Sequence, residues 1–377
     1  MKTVQAVKVA GAAFEFIADP IPLVNPLVLV FGNRFALEEV GLFTEVKQLF
    51  PSGHIVFGST SGEILDQSVY ENSVVLTAIE FERGTFLVKR RNVADFENDD
   101  AKLGESLMSE FPLTELQHLF IISDGSSVNG SSLIKGLELN KNKNIGLSGG
   151  LCGDDDRFEK TLSAYNDDPR VGEVVAIGFY GKCFEITSAN YGGWTAFGPE
   201  RIITKSKYNV LYELDGKPAL DLYKAYLGEK ALELPKSALL YPLSVKNSKE
   251  QNAIVRTILN IDENENAMIL AGDVPEGSKV QLMMSTVDDI ASGARKAAEF
   301  AMRNRTKAPG LALLISCVGR KLVMDQRTEE EVEEVISIIG ADAVVSGFYS
   351  YGEMAPFAGG DNCRLHNQTM TLTLFSE

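Results

Sequence analysis

The sequence predicts an α/β protein with mixed sheets, in two domains built from a repeated unit of strand, helix, strand, loop and strand. Three observations carry that expectation. Three apolar runs, Ile55-Val56-Phe57, Ile145-Gly146-Leu147 and Ala343-Val344-Val345, each break into a loop of glycines and hydroxyls that closes on a glycine followed by an acid: Gly62-Glu63, Gly153-Asp154 and Gly352-Glu353. Such a break marks a strand ending in a polar loop. The surroundings repeat as well, since an apolar strand, a polar turn and an amphipathic segment precede each loop and a further strand follows it. Chance is the competing reading, because short apolar runs ending in glycine are common; three copies with one closing dipeptide weigh against it. Finally, 377 residues at roughly 150 per domain give about two domains with ample core.

Taken in order, residues 3–18 alternate loosely and predict an edge strand, stopped at Asp19-Pro20-Ile21-Pro22 where proline removes a donor. The first unit has a strand over 27–30, a turn at Gly32-Asn33-Arg34 and a helix over 37–50. In that helix Leu37, Val40, Phe43, Val46, Leu49 and Phe50 recur at threes and fours, and Pro51-Ser52-Gly53 ends it. A strand over 74–81 follows its loop. The second unit is introduced by a helix marked by Leu103, Leu107 and Phe111; it has strands over 119–122 and 174–177, a turn at Ser123-Asp124-Gly125-Ser126 and an amphipathic segment over 133–139.

After Gly181 the pattern changes to strands over 184–189, 202–206 and 210–214, interrupted by a glycine-rich aromatic loop that holds the single tryptophan, Trp194. The turn Asp215-Gly216-Lys217-Pro218 and a helix over 219–227 follow, and the domain junction is placed near Asp215, giving domains 1–215 and 216–377. The second domain continues with strands over 239–243 and 254–259, a hairpin turn at 262–266, and a half-unit over 268–273 and 280–283. An alanine-rich helix spans 287–302. The third unit closes the chain, with a strand over 311–315, the turn Ser316-Cys317-Val318-Gly319-Arg320, a helix over 329–339, the loop at Gly347 to Glu353 and a strand over 369–375.

Composition narrows the function. A hydrophobic share of 45% and a charged share of 23% are those of a soluble globular chain. The net charge of -16 argues against nucleic acid or an anionic membrane, both of which need concentrated Lys and Arg. The start lacks an apolar signal core and no run approaches the roughly 18 residues of a membrane span, so a cytoplasmic protein is expected. Cys152, Cys183, Cys317 and Cys363 contain no C-x-x-C pair, and His54, His118 and His366 have no metal-ligand spacing, so neither a metal nor another cofactor is expected.

Several of these segments together resemble the FIST family, the ligand-sensing module of bacterial signal-transduction proteins that also occurs in some eukaryotic F-box proteins. The resemblance rests on Gly58 to Ile64, Ser148-Gly149-Gly150 with Gly153-Asp154, Gly193-Trp194 with Gly198, Leu214-Asp215-Gly216 with Pro218-Ala219-Leu220, Val274-Pro275-Glu276-Gly277, Ser316-Cys317 with Arg320, and Gly347 to Glu353. It spans the FIST N- and C-terminal domains. It implies binding of a small ligand, with amino acids the usual proposal, in the service of a histidine kinase, a cyclase or phosphodiesterase, or a chemoreceptor. With the chain ending at Glu377, the output is expected to come from a separate protein.

Loops at the carboxyl ends of strands are where open α/β sheets bind ligands. A ligand carboxylate suits Ser59, Thr60, Ser61 and Ser148; a ligand ammonium suits Glu63, Asp154 or Glu353. The competing reading makes each acid a local cap of its own turn. Arg320 can hold an anion through a bidentate contact or pair with a protein acid. Cys317 is either a buried inert thiol or the nucleophile of an enzyme. Trp194, Tyr349 and Tyr351 either wall a pocket or pack a domain seam. No enzyme is expected: Gly58-Ser59-Thr60-Ser61-Gly62 puts threonine where a Gly-x-Ser-x-Gly elbow needs serine, and there is no phosphate loop or triad. The reading is therefore a small-ligand sensor, with a Cys317-dependent enzyme, a pure scaffold and a haem-based gas sensor as alternatives; no His, Arg, Cys and Pro cluster supports the last.

Overall fold

The repeated unit folds three times into lobes of one design. The structure, a computed structural model, describes residues 1–9, 11–247, 252–357, 360 and 362–377. In lobe 1 the strands Leu27–Gly32 and His54–Ser59 run parallel, joined across the helix Leu42–Leu49. Lobe 2 pairs Leu116–Ser123 with Gly146–Leu151 across Gly130–Leu139, and lobe 3 pairs Leu311–Cys317 with Val344–Ser350 across Glu329–Ile339. Parallel neighbours need such a crossover, which is why each unit carries a helix between its first two strands. A third strand returns antiparallel to the first: Ser73–Glu80, Glu173–Tyr180 and Met370–Ser376 respectively. On its far side lie Lys2–Val9, Thr85–Asn92 and Glu185–Tyr191.

The first strands are apolar without alternation because both of their faces are buried. Leu27, Leu29 and Phe31 point into a central core together with Phe120 and Ile122 of lobe 2 and Leu311, Leu313 and Ile315 of lobe 3. The intervening Val28 and Val30 pack on the helix side of lobe 1, as Leu119 and Ile121 do in lobe 2 and Ala312 and Leu314 in lobe 3.

After its second strand each lobe passes a strand to a neighbour. Glu63–Leu65 leaves lobe 1 and pairs with Val344–Ser350 of lobe 3; Gly352–Pro356 leaves lobe 3 and pairs with Gly146–Leu151 of lobe 2; Ser163–Tyr165 leaves lobe 2 and pairs with His54–Ser59 of lobe 1. The exchange closes a ring. Register fixes the correspondence between lobes: the Asn33, Asp124 and Cys317 N–H groups donate to the Ser73, Glu173 and Thr369 carbonyls at 3.0, 2.9 and 3.2 Å. The residue before each of these accepting carbonyls has a positive φ, Asn72 at 52°, Gly172 at 76° and Gln368 at 62°. Gly32 pairs with Ser59, Ser123 with Leu151 and Ser316 with Tyr349, so counting onward puts Glu63, Asp155 and Glu353 at one place. The closing acid of the second loop is thus Asp155, one residue beyond the Asp154 that the repeated dipeptide points to.

A separate antiparallel sheet of eight strands occupies 195–284, between Glu185–Tyr191 and the helix Val287–Met302, which both pack in lobe 3. Its edge strands Ile254–Arg256 and Ile258–Asp262 are one residue apart in the chain, so the sheet curls round a core that includes Ile203, Leu211, Leu243, Met268 and Val280, capped by the helix Ala219–Leu227. Asp215 lies in a tight turn within this sheet, between Val210–Leu214 and Lys217–Pro218. The expected half-unit over 268–273 and 280–283 is instead part of this sheet: Ala267–Leu270 pairs antiparallel with Ile258–Asp262 and Val210–Leu214, with no crossover helix. An apolar run ending in Gly-Asp serves a hairpin as readily as a crossover. The expected helix over 37–50 is divided into Arg34–Leu37 and Leu42–Leu49, with Val40 fully exposed between them.

Close parallel pairing makes one glycine obligatory: a side chain begun at Gly347 would lie 1.8 Å from the Leu314 carbonyl oxygen. Gly347→Ala is therefore expected to cost more than about 3 kcal/mol, above the usual overpacking range, read as a lowered urea midpoint or loss of soluble protein; an unchanged midpoint would contradict this packing.

Candidate ligand site at the junction of the three lobes

The three loops meet backbone to backbone. Ser61 N–H donates to the Tyr349 carbonyl at 2.9 Å and Tyr349 N–H to that of Gly62 at 2.8 Å, tying lobe 1 to lobe 3. Gly153 N–H reaches the Ser59 carbonyl at 2.8 Å, and Tyr351 N–H that of Leu151 at 3.2 Å, which brings in lobe 2. The Ser59 hydroxyl donates to the Gly153 carbonyl and accepts from Leu162 N–H, both at 2.8 Å.

Glu63 and Glu353 occupy matching, buried cradles. The Thr60 hydroxyl and Ser73 Oγ, the latter at 2.6 Å, donate to Glu63. Glu353 accepts from Ser350 Oγ at 2.7 Å and from Thr369 N–H and Oγ1 at 3.1 and 3.0 Å. Burial pushes the Glu63 carboxyl up to about 7 and Glu353 up to about 8, against the opposing pull of the hydroxyls. Both acids cap their own loops.

Asp154 is buried between two guanidinium groups, Arg34 Nε at 2.9 Å and Arg157 Nε at 3.0 Å, and accepts from Lys160 N–H. Arg320, fully buried, donates to Glu331 Oε2 through Nε at 3.0 Å and Nη2 at 2.7 Å, and to the Gly192 and Ile290 carbonyls. The Ser316 and Tyr349 hydroxyls complete that carboxylate at 2.8 and 2.6 Å. Tyr351 stacks on Phe158 with centroids 4.4 Å apart and donates to the Asp155 carbonyl. Cys317 is buried, and burial together with the charge of Glu353 pushes its thiol well above the ordinary range. That is the state of an inert packing cysteine.

Two of the sequence-selected residues lie elsewhere. Ser148 shares hydrogen bonds of 2.7 Å with His118 Nε2 and Thr373 Oγ1 in the sheet interior, where burial lowers His118 to about 3. Trp194 donates to the Gln368 carbonyl and packs near Ile290 and Met324.

Beside the converging loops is a cavity of about 340 Å³ to which every lobe contributes. Ser61, Glu71 and Asn72 come from lobe 1; Asp155, Asp156 and Arg157 from lobe 2; Val318, Lys321 and Leu322 from lobe 3. Lys321 Nζ pairs with Glu71 at 2.6 Å and donates to the Ser61 carbonyl at 2.9 Å. Arg157 Nη2 meets Asp155 Oδ2 at 2.6 Å, and Asn33 Nδ2 reaches the same oxygen at 2.9 Å. The cavity opens on the side of Glu71 and Asp156, whose side chains are 62% and 47% exposed. Of the twelve residues selected from sequence, Ser61 lines it. Lys321, Arg157, Glu71 and Asp155 were missed; the signals available were the cation following Arg320 and the acid run Asp154-Asp155-Asp156 after Gly153. Among the described residues, no group of three or more His, Cys, Asp and Glu is placed to hold a metal ion, and no helix is long and apolar enough to cross a membrane.

Fold and junction together define a three-lobed α/β protein with a cavity of mixed charge where its lobes meet. The chain belongs to the FIST family: the FIST N domain matches residues 26–217 and the FIST C domain residues 219–356. FIST domains are associated with sensory roles in signal transduction. The chain is 24% identical over 245 residues to the uncharacterized protein MJ1623 of Methanocaldococcus jannaschii, a match covering 60% of this chain and 44% of that protein, so the chain spans less than half the length of this relative. A crystal structure of the cyanuric acid hydrolase from A. caulinodans aligns over 93% of this chain and 90% of its own at 8% identity, with a TM-score of 0.33, too distant for any chemistry to carry over.

Two outcomes are expected. The folded protein keeps a proton on Glu353 that the unfolded chain has lost above the ordinary carboxylate range. The stability this contributes is complete below about pH 4.5 and drains away as pH rises to about 8, with Glu63 acting over 4.5 to about 7. A carboxyl that holds its proton only when folded contributes about 1.36 kcal/mol for each pH step between its unfolded and folded titrations. Urea unfolding should therefore show wild type losing a few kcal/mol between about pH 5 and about pH 8, and Glu353→Gln should flatten that slope; parallel slopes would contradict it. Secondly, a thiol reagent at neutral pH should react quickly with half-buried Cys183 alone, leaving buried Cys152, Cys317 and Cys363 until denaturant is added. Rapid labelling of Cys317 would instead mark it as reactive.

Proposed function

We propose that this chain is a sensory protein whose three-lobe cavity binds a small zwitterion of the amino-acid type, and that a separate output protein of the kinase, cyclase, phosphodiesterase or chemoreceptor kind reads the bound state. The observation that carries this reading is the charge arrangement of the cavity, in which Lys321 and Arg157 each stand beside an acid, Glu71 and Asp155, supplied by or adjoining another lobe. A ligand carboxylate replaces an acid beside one of these cations while its ammonium takes up Asp155, Asp156 or Glu71, so the ligand exchanges with existing ion pairs and buries no unpaired charge. Val318 and Leu322 leave room for an aliphatic side chain. Because all three lobes line the cavity, its occupant acts on all of them at once, and differential contact of that kind is what a ligand needs in order to shift a conformational equilibrium.

The test is a thermal-shift screen of the common amino acids and related small acids, followed by calorimetry on hits. Lys321→Met should weaken a hit by about 1.5–3 kcal/mol, the range for a hydrogen bond to a charged group, with under about 1 kcal/mol lost from stability. No stabilising ligand, or a hit whose affinity ignores Lys321→Met, would rule this site out.

A further inference from the structure

A second cavity, of about 520 Å³, lies between the lobe 2 helix Gly130–Leu139, the strands Leu243–Lys246 and Ile254–Arg256 of the curled sheet, and the lobe 3 strand Cys363–His366. Its size is that of a small-molecule site. The walls are aliphatic: Ile134 and Leu139 from the helix, Val245 and Ile254 from the sheet, and Leu365 from lobe 3. No aromatic side chain lines it among the described residues, so a flat ring has nothing to stack on, whereas a flexible chain can lie along every wall. Leu139 remains 61% exposed beside the opening.

The polar groups have their own pattern. Arg256 is buried and donates to the Leu365 carbonyl at 2.8 Å and the Asp273 carbonyl at 3.2 Å. Next to it Gly272 has a φ of +124°, and a side chain begun there would lie 3.0 Å from Arg256 Cζ and 3.1 Å from Ser131 Oγ. Glycine lets the backbone pass this close to the guanidinium and the hydroxyl, where a side chain would be crowded. Among the described residues the Ser131 hydroxyl is buried without a hydrogen-bond partner, an arrangement that costs free energy unless something in the cleft it lines satisfies it. Lys135, one helical turn beyond Ser131, lines the same cavity and has no carboxylate partner among the described residues; Arg364 adds a third cation. The two acids present are engaged, Glu138 by the Cys363 N–H and Lys141, and Asp273 by Asn129. In a chain of net charge -16, the described residues lining this cleft carry three cations against two engaged acids.

We propose that this cleft binds an amphiphile with an anionic head and an aliphatic tail, the head at Ser131, Lys135 and Arg256 and the tail along Ile134, Leu139, Val245 and Leu365. The site is independent of the cavity at the three-lobe junction. A free carboxylate and an alkyl phosphate share the required chemistry.

Calorimetry on the full chain with octanoate, decanoate, decyl phosphate and decanol, below their aggregation limits, tests this. One molecule per chain should bind, decanoate roughly tenfold more tightly than octanoate for its two extra methylenes. Decanol should bind at least about tenfold more weakly than the better anion. Whichever of decanoate and decyl phosphate binds more tightly identifies the head group. The exposed substitutions Lys135→Glu and Leu139→Asp should each weaken both anions about tenfold or more without altering the urea midpoint, while Lys321→Met in the junction cavity leaves them unchanged. Failure of both anions to bind, equal binding of decanol, or binding insensitive to Lys135→Glu and Leu139→Asp would overturn the assignment.

Discussion

The exchange of strands around the ring is the constraint on which the rest of the structure depends. Each lobe's second strand would be a bare edge without the strand received from a neighbour, and an exposed apolar edge is an invitation to aggregate. Closing the ring removes all three edges at once and makes the lobes mutually dependent. It also forces three chain crossings into a small volume, where every N–H and C=O must find a partner away from water. Glycines and small hydroxyls are the residues that allow backbones to approach so closely and still satisfy one another, and Ser59, bonded on both sides, is the clearest case.

The same crowding decides the fate of the acids. In lobes 1 and 3 the loop acid is folded into a cradle of hydroxyls, and burial keeps it protonated well above its usual range, so it serves as a neutral hydrogen-bonding group. Lobe 2 departs from the pattern. Its corresponding acid, Asp155, lines the cavity with Arg157, and the preceding Asp154 is held by Arg34 and Arg157. A repeat with one altered copy adds Asp155 and Arg157 to a cavity that also holds the Lys321–Glu71 pair of lobes 3 and 1, and mixed sign results.

The curled sheet complicates the apparent simplicity of a twofold division. It is inserted into lobe 3, whose strand Glu185–Tyr191 precedes it and whose helix Val287–Met302 follows it, while the two family domains meet between residues 217 and 219, inside that sheet. Family domains mark segments that recur in sequence, whereas lobes are defined by which strands pair; the strand exchange separates these two descriptions. Its contact with lobe 2 and with Cys363–His366 frames the second cavity, so the insertion creates a surface that the three lobes alone lack.

Local physics is legible in the sequence. The α/β class, the three units, the helices over 219–227, 287–302 and 329–339 and the hairpin at 262–266 all follow from periodicity, turn chemistry and the need for a crossover between parallel strands. What sequence could not supply was the partner of each loop. The glycine-acid dipeptide points to Asp154, whereas register over a long ladder selects Asp155. Arg320 looks equally ready for a ligand or a protein acid until Glu331, eleven residues on and on another helix, is folded beneath it. Lys321 carries no motif at all; it matters because strand exchange brings lobe 1's Ser61 to it from 260 residues away, with Glu71 alongside. Propensity acts over a few residues and is readable, while charge pairing and cavity formation act through space between segments remote in the chain, and only tertiary structure decides which segments meet.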